Sequence, residues 1–302
     1  MSAVSSPAKR TSALGSVSSG RKVKDRLAQA LVYLAFLLAL IPLVSVLWTV
    51  VTNGIKRLDA TFFQFSMNGV TSADAGGGAY HAIIGTLEQV LITSLIAVPI
   101  AVLTAVYLVE YGANGRLARV ISFFVDVMTG IPSIVAGLFI LAMWLLTLGI
   151  MKEGAGFAGS LALAILMIPT VVRATEEMLK LVPNDLREAS YALGVPRWRT
   201  ICFVVLPTAL TGILTGVMLA VARVMGETAP LLLVIGFTKA INTSPFEGPQ
   251  GSLPTFIWDQ AGDSNQTAID RAWTAALTLI LIIMLLNIAA RLVARRHRPG
   301  SR

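Results

Sequence analysis

The sequence is poor in charge, in cysteine and in histidine, and each shortage removes a class of function. Only 13% of the 302 residues are Asp, Glu, Lys or Arg, while 55% are apolar, far more apolar surface than a soluble domain of this size needs. The single cysteine, Cys202, excludes an internal disulfide and is expected to pack as a small apolar residue. The two histidines, His81 beside a glycine-rich stretch and His297 in a basic tail, supply neither a buried Ser-His pair nor a metal cluster. No catalytic or metal-ligating residue is therefore assigned. Nor is there a G-x-x-x-x-G-K-[ST] loop, so any ATP-driven work requires a second protein.

Apolar sequence is what the chain has in abundance. Its mean hydropathy is +0.76, and a bilayer is the implied solvent, because crossing about 30 Å of hydrocarbon takes roughly 20 apolar residues as a helix. Stretches at about 30–51, 83–109, 119–148, 161–181, 203–235 and 273–292 meet that length. The expected fold class is all-α, a polytopic membrane protein with six transmembrane helices. Gly130-Ile131-Pro132-Ser133 leaves the third stretch open to two short spans or to one tilted or kinked helix. Charge separates these readings. Six spans with a cytoplasmic N-terminus place Arg21, Lys22, Arg116, Arg119, Arg187, Arg197, Arg295 and Arg296 inside, and only Lys56, Arg57, Lys152, Lys239 and Arg271 outside. Splitting the third stretch would put the basic segment after the fourth span outside, against the positive-inside rule.

The net charge of +8 follows from the same bias, with basic tails beside an anionic leaflet of membrane lipid, and requires no nucleic acid. Residues 1–28 read as a disordered basic cytoplasmic tail, Ser-, Ala- and Gly-rich over its first 20 residues. Stretch 30–51 is too long for a signal-peptide core and lacks a small-residue cleavage site, so it reads as a retained anchor. The membrane domain is expected over 29–297, with its core at about 82–293, and 298–302 form a short tail.

The segment 181–200 reads as a short cytoplasmic helix. Pro183 and Asn184 open it, Leu186, Ala189, Ser190 and Leu193 recur at helical spacing, and Gly194 and Pro196 end it. One small-residue face flanked by Arg187, Arg197 and Arg199 suits a groove on a partner protein, and equally an ordinary amphipathic surface helix. The longer spacing is more specific. Glu188-Ala189-Ser190, three residues, Gly194, nine residues and Val204-Val205-Leu206-Pro207 resemble the EAA loop of ABC-importer permeases, with Ser190 for an alanine and Val204 for an isoleucine. In that family the loop is a coupling helix docked on an ATPase subunit. The resemblance implies a type I ABC-importer permease fold and docking through Glu188, Ala189, Ser190 and Gly194, the glycine where a side chain would obstruct the turn.

Four charged residues lie within the apolar stretches: Asp126, Arg173, Arg223 and Glu227. A charge at the bilayer centre costs roughly 2.5–3.5 kcal/mol on insertion scales, which points to a polar pathway or a partner. Arg223 and Glu227, four residues apart, are expected to share a helix face and could simply neutralise each other. Arg173 could be a snorkelling anchor, and Asp126 a packing residue or the partner of an arginine. If Arg173 and Arg223 face one cavity, two guanidinium forks suit a tetrahedral oxyanion. A carboxylate at Glu227 would then favour phosphate, which still carries a proton to donate, over sulfate, which does not.

The run Ala222-Arg223-Val224-Met225-Gly226-Glu227-Thr228-Ala229-Pro230, together with Gly130-Ile131-Pro132-Ser133, Tyr107-Leu108-Val109-Glu110-Tyr111 and Leu253-Pro254, resembles the PstA-type permeases of bacterial phosphate importers. That resemblance implies a non-catalytic subunit of the bacterial inner membrane, both termini cytoplasmic, with Arg173, Arg223 and Glu227 on the phosphate path. It also implies a homologous PstC-like permease, a dimer of PstB-like ATP-binding subunits holding ATP and Mg, and an extracytoplasmic PstS-like phosphate-binding protein. Glu88 lies outside the matched pattern. The segment 237–271, with Phe246, Phe256 and Trp258, reads as a long outer loop placed to receive cargo, or as an interfacial anchor through Trp258. Rival readings are a permease for sulfate or molybdate, a proton-coupled secondary transporter, and a non-transporting assembly or sensor protein.

Overall fold

A computed structural model describes residues 19–112, 115–147 and 155–296. The expected C-terminal tail and His297 lie outside the described residues, as do positions 1–18 of the expected N-terminal tail. The chain divides into two units, Met1–Thr49 and Val50–Arg302, and among the described residues every regular element is helical.

The first unit contains most of α1 (Ser19–Gly54). Positions 19–28, expected as disordered tail, are helical. Arg21, Lys22, Lys24 and Arg26 are good helix formers, and propagating an existing helix by a few turns is easy compared with starting one. Leu31, Phe36 and Trp48 are all exposed, as a helix surrounded by lipid requires.

In the second unit, α2 (Ala60–Gln64) is capped by Asp59, whose carboxylate accepts from the Phe62 N–H at 2.8 Å. Next comes α3 (Tyr80–Val106), which ends in a π turn over Tyr107–Tyr111. Its buried Gln89, Thr93, Ala97, Ala101 and Ala105 recur every four residues, so they form one stripe. The stripe packs on α6 (Gly156–Lys180), the most buried of the long helices, which buries the small residues Ala158, Gly159 and Ala162 along with Met167 and Val171. Lipid offers no hydrophobic gain for such pairing, so small residues that permit close approach and interhelical hydrogen bonds carry it. The Thr93 hydroxyl donates to the Ser160 carbonyl across the pair at 3.1 Å.

The third apolar stretch is not one helix. It consists of α4 (Arg116–Gly130) and α5 (Ser133–Ile140), bent by 105° and followed by a π segment, Leu141–Thr147. Pro132 has no N–H to donate and drives Ile131 to an extended ψ of 127°. Among the described residues, five helices are long and apolar enough to cross a bilayer, and six spans are reached by counting this bent pair as one.

The loop at 181–200 resolves into α7 (Asn184–Ala192) and α8 (Arg197–Thr200), and α8 runs through a π turn, Ile201–Val205, into α9 (Leu206–Met225). Gly212 and Gly216 of α9 lie against Met178 and Ala174 of α6, so the two helices run antiparallel at close range. The fifth stretch stops at Met225 and resumes as α10 (Ala229–Val234), with Pro230 in its first turn. Pro230 packs against Gly137 of α5, which brings the two broken elements together. The expected outer loop is also partly helical: α11 (Leu253–Ala261) occupies its centre, and α12 (Gln266–Arg296) begins within it. Cys202, expected to pack, is exposed.

Candidate functional site

At one end of α6 lies α7. Its C-terminus is a closed turn in which the Gly194 N–H donates to the Tyr191 carbonyl at 2.9 Å and the Val195 N–H to the Ser190 carbonyl at 3.2 Å. Gly194 has φ +73°. A Cβ there would meet open space, so glycine is required by the left-handed backbone and not, as expected, by obstruction. Glu188, Ala189 and Gly194 are exposed, together with Leu186, Tyr191, Leu193 and Trp198. Ser190 is buried instead, its hydroxyl 2.8 Å from that of Thr200. It joins α7 to α8 and does not offer surface.

Arg187, expected to flank the outer face of α7, turns inward, and Arg197, though exposed, reaches the same point. Arg187 donates from Nη2 and Nε to the buried Glu110 carboxylate at 2.8 and 3.2 Å, and to the carbonyls of Val182 and Leu179 at 2.7 and 3.0 Å. Arg197 donates to the Glu110 carbonyl and lies over the Tyr111 ring. Glu110 entered the sequence reading only as part of a matched run. A carboxylate at the end of an apolar stretch gives no sign, by itself, of which arginine it will meet.

Deeper along α6, Arg173 is ion-paired to Asp126 of α4 and to Glu176, the latter at 2.5 Å, and it donates to the Ser122 hydroxyl at 2.9 Å. Lys180 adds a second cation to Glu176 at 2.8 Å. Asp126 is thus the partner of an arginine, and Arg173 is fixed to the neighbouring α4 and to Glu176 of its own helix. Arg223 and Glu227 are different. Arg223 is exposed in the last turn of α9, and Glu227 stands in the break before α10. The helix face they were expected to share does not exist, because the chain leaves the helix at Gly226, and among the described residues neither side chain has a hydrogen-bonding or ionic partner.

The packing of Gly216 on Ala174 sets the register of the two arginines. Arg223 lies some six residues further from α7 than Arg173, about 9 Å at a rise of about 1.5 Å per residue. The two forks therefore sit on successive levels.

The opposite end of α6 carries residues the sequence reading assigned no role. The Gln250 amide donates to the Glu88 carboxylate at 2.5 Å, and its oxygen accepts from Gln89 at 3.1 Å. Arg271 is fully buried and donates to Gln260 at 2.8 Å and to the carbonyls of Ser72 and Asp74 at 2.9 and 2.8 Å. The Thr71 N–H and hydroxyl hold the Asp74 carboxyl below its ordinary range. Phe256 is buried in the α11 packing, Phe246 stacks on Phe157 and Trp258 is exposed. His81 is buried against Phe256, and among the described residues no cluster could hold a metal ion.

A model of the family described as binding-protein-dependent transport system inner membrane components matches residues 97–300. "Phosphate transport system permease protein PstA 1" of Mycobacterium tuberculosis (strain CDC 1551 / Oshkosh) is 47% identical over 92% of this chain and 92% of its own length. PstA of Pasteurella multocida is 40% identical over 90% of this chain and 95% of its own. Among solved structures, an alginate-importing bacterial ABC transporter aligns with a TM-score of 0.60 at 15% identity, covering 90% of this chain and 96% of that one. The inward-facing MetNI methionine transporter aligns at 0.57 and 23%, covering 73% and 94%. These two likenesses establish the fold, that of the type I ABC-importer permeases. With a family match over most of its length and relatives this close, the chain belongs to the binding-protein-dependent transport system inner membrane components and, within them, to the PstA permeases.

Proposed function

We propose that the chain is the non-catalytic permease subunit of an ATP-driven phosphate importer, and that phosphate passes the levels of Arg223 and Glu227 and then of Arg173. The observation that carries this path is the state of Arg223 and Glu227. A membrane protein that keeps an arginine and, four residues on, a carboxylate without pairing either has a use for both, which a common space facing them would supply. A guanidinium offers paired donors to a tetrahedral oxyanion, and the carboxylate accepts the proton that phosphate, but not sulfate, retains. Arg173 serves the path as a second level, released when its carboxylate partners move.

Docking would use the exposed face of α7. Glu188, Ala189 and Gly194, with the apolar Leu186, Tyr191 and Leu193, form the surface offered to a PstB-like ATPase dimer, where ATP and Mg reside, and Ser190 holds that surface in place. A PstC-like permease would complete the path, and a PstS-like binding protein would deliver phosphate at the α11 end. On this reading the α7 end and both termini are cytoplasmic, and the membrane is the bacterial inner membrane.

The test is ATP-dependent uptake by the purified complex in vesicles, with phosphate, sulfate and molybdate in competition. Phosphate uptake should resist an excess of either rival anion. Uptake of sulfate or molybdate in its place would overturn the assignment.

A further inference from the structure

The contact between Glu110 and Arg187 joins three elements at one point. Glu110 ends α3 in its π turn, with its side chain 4% exposed, and the Arg187 side chain, on α7, is 13% exposed. Besides the carboxylate, Arg187 holds the carbonyls of Leu179 and Val182 at the end of α6, where a cation also suits the negative end of the helix dipole. Arg197 at the start of α8 grips the Glu110 backbone carbonyl. Separating a pair this buried would leave an uncompensated charge on each side, so its members are costly to pull apart.

The surroundings allow such movement. Glu110 itself lies in the π turn Tyr107–Tyr111, and α8, which carries Arg197, runs on into the π turn Ile201–Val205; a π turn is a locally loosened stretch of helix often found at functional positions. A cleft of about 350 Å³ opens beside the pair, lined by Val109, Lys180, Asn184 and Tyr191 among others.

We propose that Glu110 and Arg187 are positioning residues that transmit displacement of α7 to the membrane helix α3, so that closure of the docked ATPase moves the wall of the anion path. The inference rests on the reading of α7 as the docking helix. In this arrangement α7 pulls the end of α3 directly through the ion pair, and Arg197 keeps the two π turns in step. The pair acts on transport without touching the anion.

The experiment uses the full complex in vesicles, with the binding protein supplied, and measures phosphate moved per ATP hydrolysed. Glu110→Gln and Arg187→Gln should each leave ATPase co-purification intact and hydrolysis within about twofold of wild type, while phosphate per ATP falls about tenfold or more. The double variant should be no worse than either single one, because both remove the same joint. A residue that merely stabilises the fold would lower hydrolysis and transport in parallel, and that result, or an unchanged ratio, overturns the proposal. If Glu110→Gln prevents assembly, Arg197→Gln, which spares the buried carboxylate, is read by the same ratio. It should lower phosphate per ATP several-fold, and an unchanged ratio again overturns the proposal. Failure of the wild-type complex to move phosphate at all would instead sink the importer reading itself.

Discussion

Arg173 of α6 and Asp126 of α4 form an ion pair, and the same guanidinium is also held by Glu176. The two carboxylates occupy the donors that a phosphate would use. In this conformation the Arg173 guanidinium is therefore held by the protein's own acids, whereas Arg223 has no such partner among the described residues.

The two acids should differ in weight. The Glu176 side chain is 12% exposed and serves two cations, whereas that of Asp126 is 65% exposed. Glu176→Gln is expected to cost about 2–3 kcal/mol of stability and Asp126→Asn less than about 1 kcal/mol, read from thermal unfolding of the solubilised complex. Equal losses would contradict the geometry.

Replacing Gly194 tests backbone conformation, since a side chain there meets open space. Gly194→Ala should destabilise the α7 turn by about 1–2 kcal/mol, and Gly194→Asn by less, because Asn tolerates positive φ. ATPase co-purification and stimulated hydrolysis should fall in that order. Indifference of both to Gly194→Ala would remove the turn from the docking surface.

Close packing of α9 on α6 makes Gly216 sensitive to size. Gly216→Leu should force the helices apart at Ala174 at a cost of about 1–3 kcal/mol. A substitution of similar size at Leu219, which is exposed, should cost little. Comparable melting temperatures for the two variants would show that the register drawn from this contact is wrong.

Asp59 provides a pH test outside the membrane. Its carboxyl is held below the ordinary 3.8 first by the Thr61 hydroxyl and then by the Phe62 N–H. A carboxyl lowered in the folded state stabilises above its unfolded value, and that contribution is lost as pH falls through the folded value. The difference in α2 amide protection between wild type and Asp59→Asn should be full at pH 6 and shrink below about pH 4. A difference constant down to pH 3 would refute the capping role.

Much of the architecture was legible in the sequence because lipid imposes a simple rule: long apolar stretches become helices, and basic residues gather at chosen ends. The α7 segment was legible for another reason, since Pro183 and Gly194 punctuate it. The break at Ile131–Pro132 was marked by Gly130 and Pro132 as one of the open readings, whereas the break at Gly226–Thr228 was missed, because apolar sequence resumes beyond it and Glu227 was read as a charge on a continuous helix. Treating Arg223 and Glu227 as neighbours on one helix followed directly from missing the second break. Glu110, Gln250 and Arg271 have partners 77, 162 and up to 200 residues away, and no local pattern announces a pairing at such separations.

The proposed anion path stands most directly on Arg223. The Arg223→Gln complex, purified and reconstituted, should retain its ATPase subunits while ATP-dependent phosphate uptake falls at least about 100-fold, as expected for losing paired charged hydrogen bonds of roughly 1.5–3 kcal/mol each. Uptake at the wild-type rate by an intact Arg223→Gln complex would contradict the proposed path.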